Sequence, residues 1–370
     1  MNNALLFRIA FASVRGMGID LAHKILDVLP DEEAFFAIPE RELRQLTGSS
    51  ARMCGAAYRR SLLERAEREI MFIEQKNIRA TYYTDPDYPR RLAEANDAPL
   101  MLYSTGDCDL NAPHIVSIVG TRHATAYGIS FTDALVHDLG AAVPGVVVVS
   151  GLAYGIDIAA HRASLKHQVP TVAVLAQGLN KIYPALHRRD AAEIVHRHGA
   201  VVTDYQSQDD IHKGNFLARN RIIAALSDCT IVVESAPSGG ALVTASLAQS
   251  YNRDVMAVPG RVGDEFSRGC NKLIGSNRAL SITSAQDVVE AMRWQSALPS
   301  PTPPTQCELF PTLTADEQAV VDALRQHGDM HASQLADVLG KPVYKLMSIL
   351  VDLDCQGIII TLPGCHYALR

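Results

Sequence analysis

Between residues 114 and 258, short runs of β-branched and aliphatic residues recur, each followed by a stretch with helical spacing. Ile115–Val119, Val146–Ser150, Thr171–Leu175, Ala200–Thr203, Cys229–Glu234 and Val255–Val258 read as strands. They are almost continuously apolar, as strands covered on both faces are. The alternation predicts βαβ units and an α/β fold with a parallel, doubly wound sheet. Leu100–Tyr103 is a shorter strand candidate, and Ala279–Thr283 a candidate for an edge.

The flanks have a different pattern. Residues 1–80 carry helical spacing and few strand signals, which predicts a helical domain. Within it Ser13–Leu26 resembles a helix-hairpin-helix turning at Gly16 and Gly18, or a simple packing unit, and Ile38–Gly48 is a degenerate second copy. A charged helix, Arg59–Lys76, connects to the turn-rich Thr84–Pro99, and residues 81–294 form the α/β domain. Residues 295–311 are a proline-rich linker, expected to be extended. Beyond it, residues 312–370 predict helices at Ala315–His327, Ala332–Leu339 and Val343–Gln356, then a hairpin turning at Leu362-Pro363-Gly364. That order suggests a winged helix. Its third helix carries Asp352 and Asp354 and no Arg or Asn to read base edges, so the module is expected to pack on protein rather than enter a major groove.

Candidate chemistry concentrates in Lys213–Ala248. Asn215 is the expected N-cap of a helix carrying Phe216, Arg219, Asn220 and Arg221 in its first two turns, where unpartnered amides attract anions. After the strand at Cys229, Ser238-Gly239-Gly240 opens a second helix with Thr244 in its first turn, the pattern of a backbone phosphate cradle. The plainer reading gives surface ion pairs to Arg219 and Arg221 and an ordinary turn to Gly239-Gly240.

Other strand exits repeat the theme. Arg122 follows the first, Ser150 and Gly151 the second, and Lys181 and Tyr183 lie in the loop after the third. Arg122, Lys181, Arg219 and Arg221 are therefore expected to converge on one edge of the sheet. Tyr127, Tyr154, Tyr183 and Phe216 lie beside these loops and could stack bases, so repeated cationic exits suit a single-stranded polyanion. Val119–Gly128 is not the dinucleotide fingerprint, and no ATPase phosphate loop is present. Neither a nucleotide cofactor nor a metal site is expected; Ser150 and Ser238 lack the nucleophile-elbow spacing, and no catalytic residue is assigned.

Composition narrows the class. The 370 residues are 48% hydrophobic and 20% charged, ordinary for a globular protein of two or three domains. Seven scattered cysteines without a CxxC pair suggest reduced thiols and a cytoplasmic setting, and no apolar run is long enough to span a membrane. The net charge of −6 divides as +1 over residues 1–80, −4 over 81–309 and −3 over 310–370. Nucleic-acid binding therefore requires a local cationic groove rather than a basic coat.

Taken together, VGTRHATAYG, SGLAYGIDIAAH, AVLAQGLNKIYP, FLARNRIIAALS, VVESAPSGGALVTA and VMAVPG resemble the DNA-processing protein A (DprA/Smf) family, through about Tyr82–Met292. The resemblance implies an extended Rossmann-like domain that binds single-stranded DNA without a cofactor, forms homodimers and helps load the RecA recombinase during natural transformation. It places the groove at Arg122, Ser150, Gly151, Lys181, Asn215, Phe216, Arg219, Asn220 and Arg221, with Tyr183 as a stacking residue. Thr125 stands where the family often has Ser, which keeps the hydroxyl. The competing reading is a related nucleoside monophosphate phosphoribohydrolase or a nucleotide sensor. For the hydrolase, PSGGALVTASLA lacks the glutamate expected after its Thr.

Overall fold

The computed structural model describes residues 3–47, 55–295, 313–362 and 365–369. The chain divides into two compact units, residues 1–298 and 299–370. The larger is organised by nine strands: β1 (Arg79–Tyr82), β2 (Met101–Gly106), β3 (Ile115–Val119), β4 (Val147–Ser150), β5 (Thr171–Val174), β6 (Ala200–Thr203), β7 (Cys229–Val232), β8 (Asp254–Ala257) and β9 (Leu280–Ser281). They form one sheet in the order β1-β2-β6-β5-β4-β3-β7-β8-β9. Pairs from β6 through β9 are parallel, while β1 and β2 add an antiparallel edge.

Every residue of β3, β4, β5, β6 and β7 is buried. Successive side chains point to opposite faces. Val147, Val149, Val172, Val174 and Val232 accordingly join one core, while Val116, Ile118, Val148 and Ile231 join the other. The one polar interruption in β3 is neutralised locally, because the buried Ser117 hydroxyl donates to Thr230 Oγ1 at 2.8 Å. From β3 the chain builds outward through β4, β5 and β6, then returns to place β7 on β3's other side. Loops leaving β3 and β7 diverge there, which opens a crevice at the strands' C-terminal ends.

Among the described residues, five helices precede the sheet: Asn3–Ala12, Ile19–Leu26, Glu32–Ala37, Glu40–Thr47 and Ala56–Lys76. Their core includes Phe11, Phe35 and Ile70 and continues into Tyr82, Met101 and Tyr103 of β1 and β2. Polar contacts add to it: Arg8 pairs with Asp85 at 3.0 Å, and buried Glu69 accepts from the Ser207 amide at 3.0 Å. In the Ser13–Leu26 hairpin Gly16 has a φ of +83°, and the following Gly18 is the N-cap of the second helix. The Arg15 amide of that turn donates to the Tyr58 hydroxyl at 3.0 Å. Gly48, the expected end of the second copy, lies outside the described residues.

The smaller unit has helices Ala315–His327, Ala332–Leu339 and Val343–Cys355, with β10 (Met330–His331), β11 (Ile359–Leu362) and β12 (His366–Leu369) in the order β10-β12-β11. Leu324, Leu335, Leu346, Leu350 and Leu353 fill its core. Thr314 and Glu317 close a capping box on the first helix, satisfying amides that the helix leaves free. The expected linker, from residue 296 on, and Pro363-Gly364 of the hairpin turn lie outside the described residues. No helix among the described residues is long and apolar enough to cross a membrane.

Candidate nucleic-acid interface

The crevice is built by glycines that let three strand exits pack closely. A Cβ on Gly120 would lie 2.5 Å from Ile156 Cγ1, and one on Gly155 would lie 2.0 Å from the Thr121 carbonyl oxygen. Gly155 also has a φ of +78°, which disfavours any side chain. Together these residues bring the β3 exit onto the start of the helix Ile156–Lys166. The result is a cleft of about 260 Å³ lined by Thr121, Arg122, Phe216, Asn220, Gly239 and Gly240, among others. A second, smaller cleft joins it through shared Arg122, Phe216 and Arg219, adding Tyr154, Gln177 and Tyr183.

The cleft's rim is exposed and aromatic. Arg122 is exposed, and its guanidinium carbon stands 5.6 Å from the centre of the Phe216 ring. Phe216 meets Tyr183 edge to face with centroids 5.4 Å apart. Tyr183 and Tyr154 are 47% and 44% exposed, so both rings offer free faces. Gly239 caps the helix Gly240–Ser250, and nothing lies within 4 Å of a Cβ on Gly240. The open end of that helix, with its unpartnered amides, therefore faces a cleft carrying a cation. Thr244 also lines the cleft but is only 1% exposed.

The floor is different. Arg219 is 4% exposed, and its Nη1 donates to the carbonyls of Gly151, at 2.6 Å, and Val174. Asp157, also buried, accepts amides of Gly151 and Ala153. Burial pulls the Arg219 pKa down to about 10, while the charge of Asp157 opposes that shift, so the guanidinium keeps its proton near neutrality. Burial pushes the Asp157 carboxyl upward, opposed by Arg219 and the two amides. Through its two carbonyl bonds Arg219 ties the β4 exit and β5 to the helix Lys213–Ala225, with the charge of Asp157 nearby.

Several expected contacts change meaning on this floor. Gly151 does not offer bare backbone to a ligand: a Cβ there would lie 2.5 Å from Arg219 Nη1, so its small size makes room for the arginine. The Ser150 hydroxyl is fully buried and donates to the Ile118 carbonyl at 2.7 Å. Asn215 is not the N-cap. The helix starts at Lys213 with His212 as cap, and Asn215 Nδ2 donates to the carbonyls of Ala176 at 3.2 Å and Asp210 at 3.0 Å.

Arg221 leaves the cleft altogether. Residues 219 and 221 point roughly 200° apart on a helix of 3.6 residues per turn. Arg221 instead pairs with Asp204 at 2.7 Å and donates to the Asp97 carbonyl, beside the cavity where the helical part meets the sheet. The expected convergence of all four cations is thus reduced. Lys181 is exposed on the Tyr183 loop but lines neither cleft. Tyr127 lies across Glu234, in a separate cavity.

Glu234 is a site residue that the strand and motif patterns of the sequence did not single out. The Glu234 carboxylate accepts the Thr125 amide at 2.9 Å and the Thr125 hydroxyl at 2.5 Å, anchoring the start of the helix Ala126–Ala142. The available signal was a carboxylate at the exit of an apolar strand, where it must find donors. Among the described residues no group of three or more His, Cys, Asp or Glu could hold a metal ion.

Comparison with known proteins identifies this architecture. A sequence profile described as DNA recombination-mediator protein A matches residues 79–293. The chain belongs to that family. Protein Smf of Escherichia coli, a curated member, is 32% identical over 316 residues, covering 82% of this chain and 81% of the relative. The crystal structure of DNA processing protein A from Streptococcus pneumoniae superposes with a TM-score of 0.65 at 29% identity, covering 78% of this chain and 98% of that one. A structure describing the single-stranded DNA binding mode of DNA processing protein A from Helicobacter pylori gives 0.52 at 30% identity, covering 58% and 95% respectively.

Proposed function

We propose that this chain binds single-stranded DNA in the cleft between the β3 and β7 exits and acts as a recombination mediator without catalysing a reaction. The observation that carries this reading is the rim: exposed Arg122 over the Phe216 ring, with Tyr183 and Tyr154 beside it and an open helix N-terminus opposite. Arg122 and the Gly239-Gly240 amides supply phosphate contacts, while the tyrosines stack bases without reading their sequence. Lys181, on the flanking loop, adds charge along the strand's path. Buried Arg219, Ser150, Gly151 and Asn215 act by holding the loops in place.

In this reading the protein shields incoming strands in the cytoplasm during natural transformation and loads RecA onto them, as a homodimer. Residues 1–80 form a helical domain and residues 312–370 a winged-helix module, joined to the DNA-binding domain by the linker 295–311. The third helix of that module exposes Tyr344 and Val351 and carries Asp352 and Asp354, a surface suited to protein more than to phosphate. A gel shift comparing single and double strands tests the first step, and RecA-dependent strand exchange tests the second. Preference for single strands and faster exchange are expected. Equal affinity for both strands, or no effect on exchange, counts against the respective step.

A further inference from the structure

A roomy cavity lies outside the DNA cleft. It encloses about 850 Å³, with Thr125 and Tyr127 on one side and the loop Pro259–Ser267 on the other. Glu234 lines it, whereas Ala236, two residues along the same chain, lines the cleft. The strand exit therefore separates two compartments. The volume falls within the range of small-molecule sites, and the lining is mostly apolar, with Tyr127 and Phe266 among its walls.

Charge decides what such a cavity accepts. Glu234 is only 4% exposed, and among the described residues it forms no ion pair. Its donors are the Thr125 amide and hydroxyl, and a carboxylate accepts about four hydrogen bonds. Its negative charge is met by neutral donors and by the start of a helix, leaving acceptor capacity unused. Burial, and after it the charge of Glu234, raises the pKa of the Tyr127 phenol, which places that charge against the cavity wall. At the mouth, Asp264 and Glu265 outnumber the single cation, Arg261. Three carboxylates against one guanidinium repel a phosphate-bearing ligand. Aromatic walls above a buried carboxylate favour a cation with an apolar body.

We propose that this cavity binds a small organic cation, an amidinium, guanidinium or ammonium compound with an aromatic or aliphatic body, whose charged head meets Glu234. A planar amidinium or guanidinium suits the site best, because two parallel N–H groups can engage one carboxylate. The same head group is available on a free small molecule and on an arginine side chain.

Isothermal titration of the full-length protein with benzamidine, benzamide and benzoate tests the assignment. Saturable binding is expected for benzamidine, at least tenfold weaker binding for neutral benzamide, and none for benzoate. Glu234→Gln should weaken benzamidine about tenfold or more, in line with loss of a charge-assisted hydrogen bond. Because Glu234 also anchors Thr125, a second variant is needed. Asp264→Asn with Glu265→Gln leaves that anchor intact and should weaken benzamidine about threefold, the scale of exposed charge pairs. Arg122→Glu, in the other compartment, should leave it unchanged, so failure here is distinct from failure of DNA binding. Agmatine and N-acetyl-arginine amide then separate a free guanidinium compound from a side chain, and binding of either supports the site. Equal affinity for benzamide and benzamidine, absence of benzamidine binding, or unchanged affinity in both variants would overturn the proposal.

Discussion

The rim and the floor of the cleft each carry an arginine, and their surroundings differ in every respect. Arg122 is exposed, stands over an aromatic ring and is within reach of a ligand. Arg219 is buried, donates to two backbone carbonyls and sits beside a buried carboxylate. A cation near a phosphate site therefore acts in one of two ways: it meets the ligand, or it fixes the loops that do. Mutation separates them, because the first role affects affinity and the second affects folding.

The largest expected effect belongs to the floor. Arg219→Ala leaves Asp157 buried without its cation and two carbonyls without a donor, and should cost about 3–5 kcal/mol of stability. Urea unfolding reads this directly, and a loss below ~1 kcal/mol would place Arg219 with the rim. Arg122→Glu should do the reverse. Single-stranded DNA affinity should fall by about 2–3 kcal/mol, the scale of a charge-assisted hydrogen bond, while unfolding stays within ~0.5 kcal/mol of the parent. Fluorescence anisotropy and urea titration on the same preparation check both halves.

Smaller effects sharpen the division. Tyr183→Ala removes one stacking face and should weaken oligothymidine by about 1 kcal/mol or somewhat more. Beneath the floor, His161 is fully buried, with Nδ1 2.8 Å from the Thr171 hydroxyl. Burial, with Arg219 nearby, depresses its pKa from 6.5 to about 3. The folded state therefore keeps this ring neutral while the unfolded chain takes up a proton below pH 6.5. Its contribution is present above that pH and is lost as pH falls toward 3, at up to ~1.4 kcal/mol per pH unit. His161→Gln should flatten the stability profile over that interval, and an unchanged slope would remove His161 from the account.

How much of this was legible depends on what each residue contacts. The central strands could be read because sheet residues covered on both faces must be apolar, as in Val147–Ser150 and Cys229–Val232. β1 escaped notice because Arg79–Tyr82 is an antiparallel edge strand whose first residue is exposed, so it carries no apolar run. Arg219 and Arg221 look equivalent as neighbours in sequence, yet helical geometry sends them to opposite sides. That distinction was present in their spacing. What spacing could not supply was the partner: Asp157 for one and Asp204 for the other are brought close only by the fold. Gly151 is similar, since room for a ligand and room for a buried guanidinium call for the same residue. The Glu234 cavity needed the loop after β8 to be placed before it could be recognised.

The central claim is that Arg122 contacts the strand's phosphates while Arg219 does not. Measuring oligothymidine affinity against salt for the parent and Arg122→Gln tests it most directly. Removal of one phosphate contact should lower affinity and reduce the slope of log K against log salt by about 0.7. An unchanged affinity and an unchanged slope would contradict the assignment of the rim as the DNA-binding surface.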